Sequence, residues 1–242
     1  YTKRINTIFF DLDATLVPYV QAELTEAYFS DLHKFAQEQL GSAADRFDDA
    51  AMKGFQAMKE NDGSMTNREA FWKRFDSLMG ENAHEIESMT DDFYANEFDE
   101  VREVLRSERD CGGMIRSLSG RGYTVALATN PLFPPVAVRT RLAWIGLVPE
   151  DFALVTDYTN CSATKPNPMY YKSVLSRLGK TPDQCLMVGN STKEDGAAAS
   201  LGIRTIIVTD SMEGGTEIPG NVEAMSFDEA CKLLGELPDI SK

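Results

Sequence analysis

Two aspartates, Asp11 and Asp13, close an apolar stretch near the start of a 242-residue chain. In an extended segment residues two apart point the same way, so both carboxylates face one side. They repel each other unless a cation or a shared proton relieves them. One can then act as nucleophile and metal ligand while the other handles protons. Farther along stand Thr129 and Asn130, then Lys165 within Thr164-Lys165-Pro166-Asn167-Pro168, then Gly189, Asn190, Glu194 and Asp195. The lysine supplies positive charge and the Thr129 hydroxyl a hydrogen bond. These are the parts needed to hold a phosphoryl group and offset the charge that develops on it.

Such scattered residues need a scaffold that delivers them to one place. Ile5 to Leu12 reads as a buried strand, because Ile8, Phe9 and Phe10 run together before the acids. From about Ala22 to Leu105 the pattern is helical: Leu24, Tyr28, Leu32 and Phe35 recur at helical steps, and Thr66-Asn67-Arg68-Glu69 is a capping box ahead of Phe71, Trp72, Phe75 and Leu78. Further helices are expected over Ala43 to Glu60 and Ala83 to Phe98. Beyond Leu105 strands and short helices alternate. Strands are expected over Tyr123–Thr129, Phe152–Thr156, Cys185–Gly189 and Arg204–Thr209. The helices expected among them are Cys111–Ser119, Val136–Trp144, Pro168–Leu178, Asp195–Leu201 and Phe227–Leu234. That alternation predicts an α/β core, a Rossmann-like parallel sheet covered on both faces. In open sheets of this kind ligands bind beyond the carboxyl ends of the strands. Each candidate residue follows a predicted strand.

The set Asp11-Leu12-Asp13-Ala14-Thr15-Leu16, Ala128-Thr129-Asn130, Lys165-Pro166 and Val188-Gly189-Asn190 through Asp195 resembles the four ordered motifs of the haloacid dehalogenase (HAD) superfamily. Each motif is weak alone; four in order, each after a predicted strand, are specific. The resemblance implies that Asp11 attacks phosphorus to form an aspartyl-phosphate and that Asp13 protonates the leaving group and then activates water. It implies that Thr129 and Lys165 bind phosphoryl oxygens, with Leu12 and Asn130 lending backbone N–H groups. Mg²⁺ would be held by Asp11, the backbone carbonyl of Asp13, Asn190 and Asp195. A second carboxylate at Asp13 suits expulsion of an alkoxide, which needs a proton. A Mg²⁺-dependent phosphatase acting on a small phosphorylated metabolite is therefore expected. A phosphotransferase or mutase of the same family, and a catalytically weak phosphometabolite-binding protein, are the alternatives. Two departures stand out. Ala14 replaces the usual glycine, so its turn must avoid glycine-only dihedrals or carry strain. Asn190 stands where the family usually has a metal-binding aspartate, which removes one negative charge from the site.

Motif spacing locates an insert. Asp11 and Thr129 are 118 residues apart, Thr129 and Lys165 only 36. The expected organisation is a catalytic core over 1–17 and 106–242, with an all-helical cap domain over 18–105 that resembles the family's C1 cap. Val17 to Gln21 and about Asp99 to Leu105 are the expected hinges, with Pro18 and Tyr19 expected in a plain turn or, as the alternative, lining the entrance. His33 and His84 are expected on cap helices, without a ligand role.

Composition narrows the partners. With 24 basic and 38 acidic residues the net charge is −14, which disfavours nucleic acid and anionic membrane surfaces. Residues 14–107 hold 20 of the acids and 9 of the bases, so most of the excess belongs to the insert. No apolar run approaches the ~20 residues of a membrane helix. Thr7 to Phe10 is too short for a signal segment and reads as structure. Four scattered cysteines without a C-x-x-C pair fit a reduced, cytoplasmic protein rather than a zinc site.

Overall fold

A computed structural model describes residues 5–80 and 83–241; the side chain of His84 lies outside what it describes. The core is one six-stranded sheet, order β3-β2-β1-β4-β5-β6, with every neighbouring pair parallel. β1 is Thr7–Phe10, β2 Thr124–Leu127, β3 Leu154–Val155, β4 Cys185–Gly189, β5 Arg204–Val208 and β6 Val222–Met225. All four β1 residues are buried, because β1 lies mid-sheet between β2 and β4 with helices over both faces. Phe10 pairs with Leu127 on one side and Val188 on the other. The chain therefore leaves β1, β2 and β4 at one level, and the segments carrying Asp11, Thr129 and Asn190 emerge side by side.

Helices α1 (Gln21–Leu40), α2 (Ala44–Lys59), α3 (Asn67–Met79) and α4 (Ala83–Ala95) form the insert, followed by a 3-10 stretch over Glu97–Val104. Leu24, Tyr28, Leu32 and Phe35 are buried, as their spacing on α1 requires. α3 starts at the expected capping box, with Thr66 and Glu69 satisfying each other's backbone N–H groups. Its first residue, Asn67, is fully buried and donates through Nδ2 to the carbonyls of Pro131 (3.1 Å) and Ala163 (3.2 Å). The N–H groups of Asn67 and Arg68 donate to Cys161 and Tyr158 carbonyls. The insert is thus pinned to loops beside the carboxyl end of the sheet. At its other junction Arg106 N–H donates to the Pro18 carbonyl at 2.8 Å.

α5 (Gly112–Gly120), α6 (Pro135–Ala143), α7 (Pro168–Leu178) and α8 (Phe227–Gly235) belong to the core. The structure departs from the sequence expectations at several points; β2 and β3, for instance, are shorter than the Tyr123–Thr129 and Phe152–Thr156 expected. The first strand is four residues, Thr7–Phe10; the Asp11 N–H makes one last bond to β4, to the Val188 carbonyl at 2.9 Å, and the chain turns at Leu12. Ala83–Phe98 is an α-helix only to Ala95. Asp195–Leu201 is a 3-10 turn over Gly196–Leu201 rather than an α-helix. β6 has no apolar run to announce it: Val222–Met225 is an edge strand with two exposed residues. His33 pairs with Asp48 across α1 and α2. The four cysteines are free thiols. Among the described residues no helix is long and apolar enough to cross a membrane.

Candidate active site

Lys165 organises the floor of the site. Its Nζ donates to Asp11 Oδ1 at 2.9 Å and to Asp195 Oδ1 at 2.6 Å, and its side chain is fully buried. It arrives from the loop before α7, where the Lys165-Pro166 peptide is cis. Asp195 spends its other oxygen, Oδ2, on the N–H groups of Asn190 and Ser191, both at 3.0 Å. Gly189 makes this approach possible: a Cβ there would lie 2.2 Å from the Asp195 carboxyl carbon. Asp195 therefore fixes the loop after β4 and anchors Lys165, and both its oxygens are engaged. Burial opposes the charge on Lys165, but Asp11 and Asp195 outweigh it, so its pKa is raised and it stays an ammonium. Burial pushes the Asp11 carboxyl well up, Lys165 pulls it back, and Asp195 and Asp13 push it up again. One lysine does not neutralise this cluster.

Thr15 bridges the first and fourth motifs. Its hydroxyl lies 3.3 Å from Asp11 Oδ2 and 3.2 Å from Asn190 Oδ1. Asn190 also donates through Nδ2 to the Ser211 carbonyl at 2.7 Å, a bond that an aspartate could not make. Ala14 directly follows the second aspartate at φ +58°, the only non-glycine residue with positive φ among those described. The left-handed turn that the sequence put in question is therefore taken, and an alanine carries its steric cost.

Asp13 is held by two residues that sequence reasoning did not select as functional. Arg141 Nη1 donates to both carboxylate oxygens, at 2.6 Å to Oδ1, and Tyr19 donates its hydroxyl to Oδ1. Arg141 is 1% exposed; its Nε donates to the Ala137 carbonyl, and its guanidinium lies 4.6 Å from the centre of the Phe133 ring. Burial opposes its charge, yet Asp13 and Tyr19 raise its pKa on balance. Tyr19 is fully buried rather than at an entrance, and burial followed by the Asp13 charge raises its pKa, so it remains a donor. The only sequence signal was an arginine on a short helix whose neighbours are apolar.

Thr129 Oγ1 is buried and has no hydrogen-bond partner, the one side-chain polar atom in that condition among the described residues. Its backbone is well held: the Thr129 carbonyl accepts from Thr156 (2.7 Å) and Tyr170 (2.9 Å). An orphaned hydroxyl in a rigid frame costs stability unless a ligand meets it. Asn130 Oδ1 accepts from the Lys165 N–H, tying the second motif to the third. Leu12 is fully buried, so only its backbone could serve a ligand.

Between sheet edge and insert lies a cavity of about 330 Å³ whose floor includes Asp11, Asp13, Asn130, Asn190, Ser191, Glu194 and Glu213. Four carboxylates face it, against one lysine, Lys59, on its wall. Glu194 is raised by burial and by Asp195. An all-oxygen donor set with excess negative charge, and no histidine or cysteine, suits a hard divalent cation such as Mg²⁺. Asp11, Asp13, Asn190 and Glu194 line the cavity, whereas Asp195 points its oxygens into Lys165 and the loop.

The haloacid dehalogenase-like hydrolase family matches residues 5–212. Pyrophosphatase PpaX of Bacillus cereus (strain AH820) is 21% identical, over 99% of each chain. The PpaX of Bacillus velezensis is 24% identical, over 98% of this chain and 95% of its own. Among solved structures, a HAD phosphatase from Thermococcus onnurineus superposes with a TM-score of 0.60 at 21% identity, covering 98% of this chain and all of that one. A 2-haloacid dehalogenase from Pseudomonas syringae pv. Tomato DC3000 gives 0.62 at 17% identity, covering 96% and 98%. At these identities the solved structures speak for the fold.

Proposed function

The chain belongs to the haloacid dehalogenase-like hydrolase family, and from that premise we propose that it is a Mg²⁺-dependent phosphatase that hydrolyses a small phosphomonoester through Asp11. The observation that carries the reading is the unpartnered Thr129 hydroxyl, buried in the second motif of a family whose resemblance assigns that residue to a phosphoryl oxygen. A carboxylate pair, Asp11 and Asp13, distinguishes ester hydrolysis from dehalogenation, because only an alkoxide needs a proton on leaving.

In this mechanism an Asp11 oxygen attacks phosphorus and the ester P–O bond breaks. Asp13 passes a proton to the departing oxygen. Its Oδ1 accepts from both Tyr19 and Arg141 and its Oδ2 from Arg141 alone, so Oδ2 is the less engaged oxygen and serves the leaving group. Water then attacks the aspartyl-phosphate, returns a proton to Asp13 and releases phosphate, which regenerates the Asp11 carboxylate. Lys165 holds Asp11 and faces the phosphoryl charge, and Thr129 donates to a phosphoryl oxygen. Mg²⁺, held by Asp11, the Asp13 carbonyl and Asn190, would neutralise phosphoryl charge and let an anionic substrate approach the acidic floor. Glu194 is the carboxylate we assign to complete that set, with Asp195 as its scaffold. Residues 18–105 would act as the cap, excluding water from the reacting centre.

The test is turnover of 4-nitrophenyl phosphate with and without Mg²⁺. Activity should require the metal and vanish in Asp11→Asn; turnover that survives this substitution overturns the assignment of Asp11 as nucleophile. Phosphate released stoichiometrically without an added acceptor separates hydrolysis from phosphotransfer.

A further inference from the structure

The cavity has two unlike halves. Its floor is acidic and polar, as described above. Its insert-facing wall is built from aromatic rings: Tyr28 and Phe29 of α1, Phe55 of α2 and Phe133 from the core loop before α6. These rings form one assembly, with centroids 4.8 Å apart for Tyr28–Phe29, 5.4 Å for Tyr28–Phe133, 5.8 Å for Phe55–Phe133 and 6.0 Å for Phe29–Phe55. The first, second and fourth of these contacts are edge-to-face and the Phe55–Phe133 pair is tilted, arrangements that aromatic pairs favour. The wall has no polar handle from its tyrosine, because the Tyr28 hydroxyl is spent on Tyr94 at 2.7 Å inside the insert. Thr25, beside it, spends its hydroxyl on the Gln21 carbonyl at 2.8 Å. Met52, 54% exposed, completes the rim.

Cations are scarce here. Lys165 is engaged by two carboxylates below the floor, Arg141 by Asp13, and Lys59 is the one cationic side chain on the wall. Pyrophosphate, a bisphosphate or a phosphorylated carboxylic acid brings a second anionic group, which would meet aromatic carbon or one of four carboxylates. A neutral apolar body would instead displace water from the rings, and the volume of about 330 Å³ suits a phosphoryl group plus roughly one ring.

We propose that the substrate is the monophosphate of an uncharged alcohol bearing an aromatic or compact apolar body, recognised by the Tyr28–Phe29–Phe55–Phe133 wall. This rests on the phosphatase reading and names its substrate class.

The experiment compares kcat/KM for benzyl phosphate and ethyl phosphate, whose leaving alcohols are similar in acidity, with 2-phosphoglycolate and pyrophosphate alongside. Benzyl phosphate should exceed ethyl phosphate by at least ~10-fold, the scale of a ring's worth of apolar contact, and should also exceed both doubly anionic compounds. Phe29→Ala should bring the benzyl-to-ethyl ratio towards one. Met52→Lys, at an exposed position that folding tolerates, should lower that ratio and raise the relative rate on 2-phosphoglycolate. Equal rates on the two monoesters, or a doubly anionic compound as the best substrate, would overturn the proposal. Calorimetric binding of benzylphosphonate and ethylphosphonate, which cannot be hydrolysed at a P–O ester, separates the two levels. If no ester is turned over, the phosphatase reading fails. A ~10-fold tighter benzylphosphonate still supports the wall, and equal affinities remove it.

Discussion

The pair formed by Asp13 and Arg141 predicts an asymmetric double-mutant cycle. Asp13→Ala leaves a guanidinium that is 1% exposed, with no anion and only its own helix carbonyl at Nε. Uncompensated buried charge of this kind costs about 3–5 kcal/mol. For a chain of this length that lowers Tm by roughly 6–20 °C, at about 2–4 °C per kcal/mol. Arg141→Met is milder. The Asp13 side chain is 18% exposed on a cavity wall, where water can reach it, and keeps the Tyr19 hydroxyl. The methionine also retains packing against Phe133, so about 1–3 kcal/mol is expected. The double variant removes both charges and should be more stable than Asp13→Ala alone, giving a coupling of about 2–3 kcal/mol. Urea unfolding of the four proteins in metal-free buffer, with unchanged m-values, is the assay. Effects that add to within ~0.5 kcal/mol, or an Arg141→Met loss larger than that of Asp13→Ala, would refute the reasoning. Kinetically, Asp13→Ala should abolish ester turnover, while Arg141→Met should lower kcat yet leave it measurable.

Four further outcomes follow from particular atoms. Thr129→Val removes the orphaned hydroxyl and should leave stability unchanged or raise it by up to ~1 kcal/mol, while kcat/KM falls ~10–100-fold; a loss of stability with activity intact would refute the ligand-facing role. Asn190→Asp should tighten Mg²⁺ but lower metal-free stability by about 1–3 kcal/mol, because the bond to the Ser211 carbonyl becomes a repulsion; titration calorimetry and melting without metal check the two halves. Ala14→Gly should be neutral or stabilising by up to ~1 kcal/mol, unlike a typical buried Ala→Gly change, since φ is +58°; a loss above ~1 kcal/mol in urea unfolding contradicts this. Burial pushes the Cys111, Cys161 and Cys185 thiols up to about 12, so in the folded chain iodoacetamide at pH 8 should modify them far more slowly than in the unfolded chain. The sign for stability is fixed by the same shift. The folded chain keeps protons that the unfolded chain releases above about pH 9, so stability from these groups is full below that pH and is lost as pH rises towards 12.

Local patterns made much of the core legible. α7 and β4 start and end where Pro168, Gly179, Cys185 and Gly189 mark them, because caps, prolines and a continuous apolar run act within a few residues. The parallel sheet followed from alternation, and the gathering of Asp11, Lys165 and Asp195 at one edge from the place of each after a predicted strand. Partners set by long-range packing were not legible. Arg141 lies 128 positions from Asp13 and two after the exposed Arg139, so nothing local distinguishes the buried guanidinium from the solvated one. Tyr19 looked like a turn residue because its hydroxyl's partner is revealed only once the segment folds back. The engagement of Asp195 with Lys165 and two backbone N–H groups, and the cavity-facing position of Glu194 beside it, depend on a 3-10 turn that periodicity read as a helix.

The central position of β1 also sets a clock on biosynthesis. Thr7 pairs with Thr124 and Cys185, so the strand's two neighbours are made 117 and 178 residues after it. At about 5–20 residues per second, the interval between Phe10 and Gly189 is roughly 9–36 s. Until β2 is made the nascent Thr-Ile-Phe-Phe segment has no ladder partner, and it stays one neighbour short until β4 follows, while the helices of the insert, whose contacts are local, can form within microseconds. Asp11 thus emerges at the end of the strand that waits longest for its sheet. Substitutions that slow synthesis or destabilise β4 should reduce the yield of folded protein before they alter any property of the mature site.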